Sequence, residues 1–435
     1  MRNPYVTGYY VVGRKHYGRQ YLLDALLHGE ANAYWVIGTR RIGKTSLLRQ
    51  LEVLALSPEQ GGRFIPIFWD MQGCNTFASL SRYLTDALQE RFDLLGELGL
   101  PPEVLQDENL LTLLPALRRA VRATGRELLL LCDETEVLIH VARQEPEAAQ
   151  RLHAELTRGA GLRVVAVSTR QIYELHEVCR NWPTSPFLAG FNMAYTLGSL
   201  DDETARALIT QAQTDEPVRA DPDVIAAICE LTNRHPYLIQ LLCSRLFQVE
   251  GYLRPVEAAD LAVDPLLAGF LSNDFSQLAP AEQRLVWAVY DRGQVNEAAL
   301  AEATQMELAE VHAILHEIEP LGYVRRQDGQ LMVGNQFLGQ WLAQEQRRTG
   351  RPSAPPGSSA PSPTGPTPDM SPIAPPAVRD AAARIEQLNA KRTRLMELEV
   401  IRARQLLDVS PAVLAEIRQT EQEIERLLTA LGVTT

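Results

Sequence analysis

Gly38, Gly43, Lys44 and Thr45 carry the most specific chemical signal in the chain, because they fit the spacing G-x-x-x-x-G-K-[ST]. Glycines at those two positions let the backbone curl until its N–H groups enclose a polyphosphate. Lys44 then reaches the outer phosphates and the Thr45 hydroxyl is placed to ligate magnesium. The intervening Thr39, Arg40, Arg41 and Ile42, and Ser46 behind them, belong to the same nucleotide-binding stretch. The lysine is informative in itself. Lys15, Lys44 and Lys391 are the only lysines among 42 basic residues, so a compact ammonium here marks a site that a planar guanidinium does not serve.

A second pair of chemical groups lies in "LLLLCDE", where Asp133 and Glu134 follow a fully apolar run. Two carboxylates at the C-terminal end of a buried strand suit magnesium and an attacking water, with Asp133 on the metal side and Glu134 polarising the water. A third stretch, "VVAVSTR", delivers Arg170 at another strand end, in position to sense a terminal phosphate or to begin a helix.

These groups need a scaffold, and the pattern supplies one. Apolar runs at Tyr34 to Ile37, Arg63 to Gly73, Glu127 to Ile139, Leu162 to Arg170 and Met193 to Leu200 read as strands. Helical stretches at Thr45 to Leu56, Ser79 to Leu95 and Leu110 to Ala123 alternate with them. Strand and helix in alternation predict an α/β P-loop NTPase core with a five-stranded parallel sheet covered on both faces.

Composition narrows the class. The 435 residues allow two to four domains, 46% hydrophobic content is globular, and a net charge of -12 disfavours a protein that coats nucleic acid or lies on a membrane surface. Five scattered cysteines without a C-x-x-C pair suggest neither zinc nor a disulfide framework, and no run of about 18 apolar residues occurs. A cytoplasmic protein is expected.

Beyond residue 200 the pattern turns helical. "DPDVIAAICELTNRHPYLIQLLCSRLFQ" breaks and restarts at His235-Pro236. Residues 264–345 predict three helices and a two-stranded wing turning at Asp328-Gly329, a winged helix. Its expected recognition helix, Glu307 to Pro320, carries Glu307, Glu310, Glu317 and Glu319, and the whole segment holds twelve acidic residues against four arginines. Phosphate binding needs the opposite sign, so nucleic acid is an unlikely partner. Between Arg351 and Pro376 lie ten of the chain's 27 prolines, a composition that gives an extended spacer rather than a core. Apolar stripes at Ile385, Leu388, Leu395, Leu398 and Leu406, and at Val413, Ile417, Ile424, Leu428 and Leu431, predict a helical hairpin turning at Ser410-Pro411. The expected organisation is a P-loop ATPase core at 1–200, a helical lid at 201–263, a winged helix at 264–346, a disordered linker at 347–376, and a coiled-coil-like interaction module for a protein partner at 377–435.

The order "GRQYLLDALL", "GTRRIGKTSLL", "LLLLCDE", "STR", "LGSLDDETARALI", "RHPYLIQLLC" and then a winged helix resembles the STAND class of signal-transduction ATPases, in its bacterial and archaeal branch with an AAA+-like core. The likeness spans roughly residues 3 to 345. It implies ATP or ADP with Mg2+ as ligands, an adenine contact through Tyr17, Gly18 and Arg19, and a lid contact through His235 and Pro236. Arg234 precedes that histidine where many relatives have glycine. The resemblance also implies a slowly hydrolysing switch that forms a homo-oligomer or recruits an effector on activation. Two alternatives stay open: a DNA-engaging ATPase similar to the origin-recognition group, and a nucleotide-bound scaffold that hydrolyses little.

Overall fold

Strands whose successive side chains enter two different helical layers are apolar at nearly every position, and that is the reason the core strands read as hydrophobic runs. In β1 (Ala33–Ile37), β2 (Phe64–Asp70), β3 (Glu127–Asp133) and β4 (Leu162–Ser168), the side chains of Val36, Phe64, Leu129 and Val165 enter one layer. That layer also holds Leu23 and Leu26 of α1 (Gln20–His28) and Leu47 and Leu48 of α2 (Lys44–Ala55). Trp35, Ile67, Leu130 and Val164 enter the other. It is covered by α3 (Phe77–Gln89), α4 (Leu110–Ala123), α5 (Leu138–Gln144), α6 (Pro146–Leu156) and α7 (Ile172–Cys179), through side chains such as Leu80, Leu113, Leu138, Leu152 and Leu175. With β5 (Ala194–Thr196) these strands form one parallel sheet in the order β2-β3-β4-β1-β5. The protein has the expected α/β P-loop NTPase fold with a five-stranded parallel sheet. This computed structural model describes residues 1–91, 109–180 and 194–351, with isolated positions elsewhere.

Several strands are shorter than the apolar runs that announce them. The run from Glu127 leaves the sheet at Asp133 because Glu134 turns into the left-handed region at φ 51. The run from Arg63 stops at Asp70, and the run from Leu162 at Ser168. The helix expected from Ser79 begins at Phe77, where Thr76 and Ser79 form a reciprocal cap. Arg163, the one charged residue inside β4, is buried and donates to the carbonyls of Leu26, Gly29 and Ala31 around the end of α1. Those acceptors make the buried guanidinium tolerable.

The helical half begins with α8 (Asp202–Ile209), α9 (Pro222–Thr232) and α10 (Pro236–Leu246), followed by the short pair β6 (Phe247–Gln248) and β7 (Tyr252–Leu253). Next come α11 (Pro265–Ser276), α12 (Pro280–Arg292), α13 (Glu297–Thr304) and α14 (Leu308–Ile318). The antiparallel hairpin β8 (Val324–Gln327) and β9 (Gln330–Val333) and the helix α15 (Gln336–Thr349) complete it. The hairpin turns at Asp328 and Gly329, both with positive φ, as the Asp-Gly pair predicts. Leu208, Ile239, Leu285, Leu315 and Trp341 share one hydrophobic cluster, so α8 to α15 pack around a common core. The spacer from residue 352 onward and the stripes expected for the hairpin at 377–435 lie outside the described residues.

An N-terminal strap ties the two halves together. The Tyr5 hydroxyl donates to the Ile209 carbonyl, and the Val6 amide to Gln240 Oε1 at 3.0 Å on α10. The Val11 amide donates to Ser46 Oγ at 3.1 Å and that of Gly13 to Gln50 Oε1 at 2.7 Å, both on α2.

Candidate functional site

Strand register gathers the site. Ile37 lies beside Ser168 and Asp70 beside Asp133, so the exits of β1, β2, β3 and β4 form one edge. The loop from Gly38 to Gly43 leaves that edge and feeds α2. Gly43 holds φ 104, a conformation that side chains disfavour, and a Cβ on Gly38 would stand 3.0 Å from the Leu197 carbonyl oxygen. Ile42 anchors the loop in the core at 2% exposure.

Lys44 is buried, and its ammonium donates to the carbonyls of Gly38 at 3.0 Å and Thr39 at 3.1 Å. Thr45 Oγ1 donates to Asp133 Oδ2 at 2.7 Å. The two groups expected to hold magnesium are therefore in direct contact across β4. Burial pushes the Asp133 carboxyl up to about 6, against the hydrogen bond from Thr45, and Asp70 adds repulsion. A buried, destabilised carboxylate next to a hydroxyl is a hard-oxygen pair that fits Mg2+.

Glu134 donates its amide to Asp133 Oδ1 at 3.0 Å. Burial first, then Glu136 and Asp133, raise its pKa, while Lys44 and Arg40 draw it down. Glu136 was not expected at the site. It accepts from the Thr169 hydroxyl at 3.0 Å, and so links the exits of β3 and β4.

The arginines behave differently from a simple phosphate cradle. Arg41 takes a left-handed φ of 61, donates to the Thr7 carbonyl at 2.9 Å, and lies over Tyr237 and Phe270 at 4.7 and 4.0 Å from the ring centroids. It joins the loop to α10 and α11. The Arg40 amide donates to Asp274 of α11, with Oδ2 at 3.1 Å and Oδ1 at 3.3 Å. Arg170 makes a fork-to-fork pair with Glu282 of α12, at 2.9 and 2.6 Å, and also reaches Glu317 of α14 at 3.1 Å. The expected phosphate sensor is thus held by two carboxylates of the helical half. Sequence could show Arg170 as a strand-end arginine, but it carries no local sign of Asp274 or Glu282 as partners.

Tyr17, Gly18, Arg19 and His235 form a second group, in which Arg19 acts on the His235 ring. The Tyr17 hydroxyl accepts from the Gln213 amide at 3.3 Å, and Gly18 and Arg19 both have positive φ. The Arg19 guanidinium donates to the carbonyls of Gly198 and Ser199. His235 caps α10 from the position before Pro236. Its Nδ1 and that of His16, a second ring on which Arg19 acts, are covered and without hydrogen-bond partners. Burial, then the charge of Arg19, lowers the pKa of both rings. Ser46 faces the strap through its hydroxyl, as described above.

Among the described residues no helix is long and apolar enough to cross a membrane. No protein-family model matches the chain, and neither does any curated protein. Solved structures do match. The Walker-type ATPase PABY2304 of Pyrococcus abyssi aligns at a TM-score of 0.55 with 14% identity, covering 75% of this chain and 96% of that one. The ORC2 protein of Aeropyrum pernix, solved as ADPNP-ADP complexes, aligns at 0.46 with 13% identity over 75% and 92%. The RuvB Holliday junction branch migration motor of Thermotoga maritima aligns at 0.32 with 14% identity over 73% and 92%. The first of these, together with the strand order and the loop between β1 and α2, identifies the fold as that of the P-loop ATPases.

Proposed function

We propose that this protein is an ATP-binding, slowly hydrolysing switch of the STAND type. The observation that carries the reading is the clamp: the same helical half that packs over the loop binds Arg40 through Asp274 and Arg170 through Glu282. A catalyst built for turnover keeps such groups for its substrate. Here they are spent on holding two halves of the molecule together, which suits a device whose nucleotide state sets its conformation.

In this reading Lys44 and the loop amides bind the phosphates, and Tyr17, Gly18, Arg19, His235 and Pro236 border the adenine. Thr45 and Asp133 would hold Mg2+, which when bound neutralises charge on the phosphate oxygens. Glu134 accepts a proton from the attacking water, a task that its raised pKa suits near neutral pH. Arg170 reaches the terminal phosphate only after leaving Glu282, so hydrolysis is slow while the clamp is shut. Residues 1–200 act as core, 201–263 as lid and 264–346 as a winged helix that moves with it. The segment at 377–435, tethered by the proline-rich linker, recruits a protein partner or a second copy.

Duplex DNA does not fit the same surface well. On the wing, Arg326 is paired with Glu297 and Glu319 and Arg325 with Glu230, so these cations are already neutralised.

The test is Glu134→Gln in a single-turnover ATPase assay with calorimetry. Affinity for ATP stays within threefold while hydrolysis drops at least ~100-fold, the scale of a lost general base. Unchanged turnover would remove the catalytic role from Glu134.

A further inference from the structure

We infer that the cleft bordered by α8, α9 and β8 is a second ligand site, for a small phosphate-bearing compound, distinct from the loop between β1 and α2. It is independent of any nucleotide at that loop.

The cleft has the size of a ligand pocket and a charge opposite to that of the chain. Its volume is about 540 Å³, within the range that holds a small molecule. Arg206 of α8, Arg234 before α10, and Arg325 and Arg326 of β8 line it, against the three carboxylates of Asp202, Glu230 and Glu319. A protein of net charge -12 thus gathers cations in one concave place. Its lining is preformed, because neighbouring segments already meet there: a Cβ on Gly198, next to Ser199, would stand 2.6 Å from the Pro320 carbonyl oxygen.

Only part of the positive charge is engaged within the protein. Arg206 is paired with Asp202 at 2.6 Å and Arg326 with Glu297 at 2.8 Å. Arg325 comes no nearer than 3.7 Å to the Glu230 carboxylate, and its Nε has no hydrogen-bond partner, so this guanidinium is loosely held. The Arg234 guanidinium has no ion pair or hydrogen bond among the described residues. Yet arginine is an unfavourable choice at that position. Asn233 and Arg234 both take left-handed φ, at 49 and 55, a conformation that a Cβ opposes and glycine adopts freely. The Arg234 backbone is fastened on both sides, its amide donating to the Cys229 carbonyl at 3.1 Å and its carbonyl accepting from the Leu200 amide at 3.0 Å. Strain kept for a side chain without a polar partner in the protein points to a ligand.

The lining also selects the ligand's chemistry. Guanidinium groups take phosphate or carboxylate oxygens. Here they converge from three separate segments, which suits the tetrahedral oxygens of phosphate better than a planar carboxylate. Ser199, Asn233 and Gln327 add neutral groups for hydroxyls beside the anion.

The experiment is calorimetry on the full chain with Mg2+ and saturating ADP, titrating inorganic pyrophosphate as the probe and citrate as its carboxylate counterpart. ADP keeps pyrophosphate off the loop. The wild type binds pyrophosphate at least tenfold more tightly than citrate. Arg234→Gly, which keeps the backbone conformation, and Arg325→Gln each weaken pyrophosphate at least tenfold, the loss expected of one charge-assisted contact. No pyrophosphate binding, an affinity that either variant leaves unchanged, or citrate bound as tightly overturns the inference. If ADP itself does not bind, the nucleotide reading alone fails, and the effect of the two variants on pyrophosphate still decides this one. Should Arg325→Gln not fold, Arg234→Gly decides.

Discussion

At the loop end of the proposed nucleotide site, the Lys44 ammonium is on the Gly38 and Thr39 carbonyls, the Arg40 amide on Asp274, and the Arg170 guanidinium on Glu282. At the other end, bordered by Tyr17, Arg19 and His235, two imidazole nitrogens are covered without a hydrogen-bond partner. A buried polar atom left unpaired costs about 1–3 kcal/mol, whereas a paired one costs little. The two ends therefore respond to a ligand in opposite ways. One must give up protein contacts to admit it, and the other gains contacts it lacks. In the proposed reading the phosphates meet the first end and the base the second.

The sharpest way to break this contrast is Lys44→Ala. Removing the buried ammonium should lower affinity for ADP and AMP-PNP alike by ~100-fold or more, the scale of a lost charge-assisted contact (about 3 kcal/mol), as measured by calorimetry. Retained binding would take the phosphates away from this loop.

A smaller effect is expected from His235→Leu. Losing one hydrogen bond to a base should weaken both nucleotides about tenfold, near 1.4 kcal/mol, with their ratio unchanged. A change in the ratio would mean that the histidine reports phosphate number, and the division between the two ends would fail.

The pH dependence of stability sharpens the contrast further. Burial raises the Asp274 carboxyl to about 6, with Lys44 and Arg40 pulling the other way. The folded protein thus holds that proton more tightly than the unfolded chain does. The stability it contributes is complete below the ordinary carboxylate pKa and is lost as pH rises through about 6. Asp274→Asn has no proton to lose. Between pH 7.5 and pH 5 the wild type should gain about 1 kcal/mol relative to this variant in denaturant unfolding. At the other end the sign reverses: the lowered pKa of His235 makes its contribution fall as pH drops below the ordinary histidine range.

The smallest effect concerns backbone. Asn233 and Arg234 both hold positive φ, at 49 and 55, directly before His235. A left-handed non-glycine residue costs about 1–2 kcal/mol, and glycine returns about 0.5–1 of that as unfolded-state entropy. Arg234→Gly should therefore stabilise the protein by about 0.5 kcal/mol in thermal or denaturant melts. A destabilised variant would show that the arginine side chain contributes more than its backbone costs.

Legibility from sequence follows the range of the contact. The loop from Gly38 to Thr45 is contiguous, and Asp133 and Glu134 sit at the end of an apolar run, so both were open to a local reading. The sheet was too, because burial on both faces leaves its strands almost wholly apolar, with Arg163 the charged exception inside β4. Asp274 and Glu282 lie more than 100 residues from Arg170, in helices whose own patterns require only a buried face. A carboxylate chosen for a distant partner looks locally like any solvated acid. Glu317 shows the limit clearly: its sign argues against DNA, yet part of its role is intramolecular, on Arg170. Glu136 was hidden for the same reason, since Thr169 is its neighbour only across the sheet.

The strap sets a limit on travel. Val6 is fastened to α10 and Val11 to α2, so only five residue steps separate the two anchors. Even drawn straight, that length spans roughly 17 Å. It behaves as a belt of fixed length across a hinge: α10 can pivot toward or past α2, but the distance between Gln240 and Ser46 cannot grow beyond the belt while both buckles hold. Larger swings must first release the Ser46 hydroxyl, which lies one residue after Thr45. Range of motion and the start of α2 are thereby geared to the same short segment.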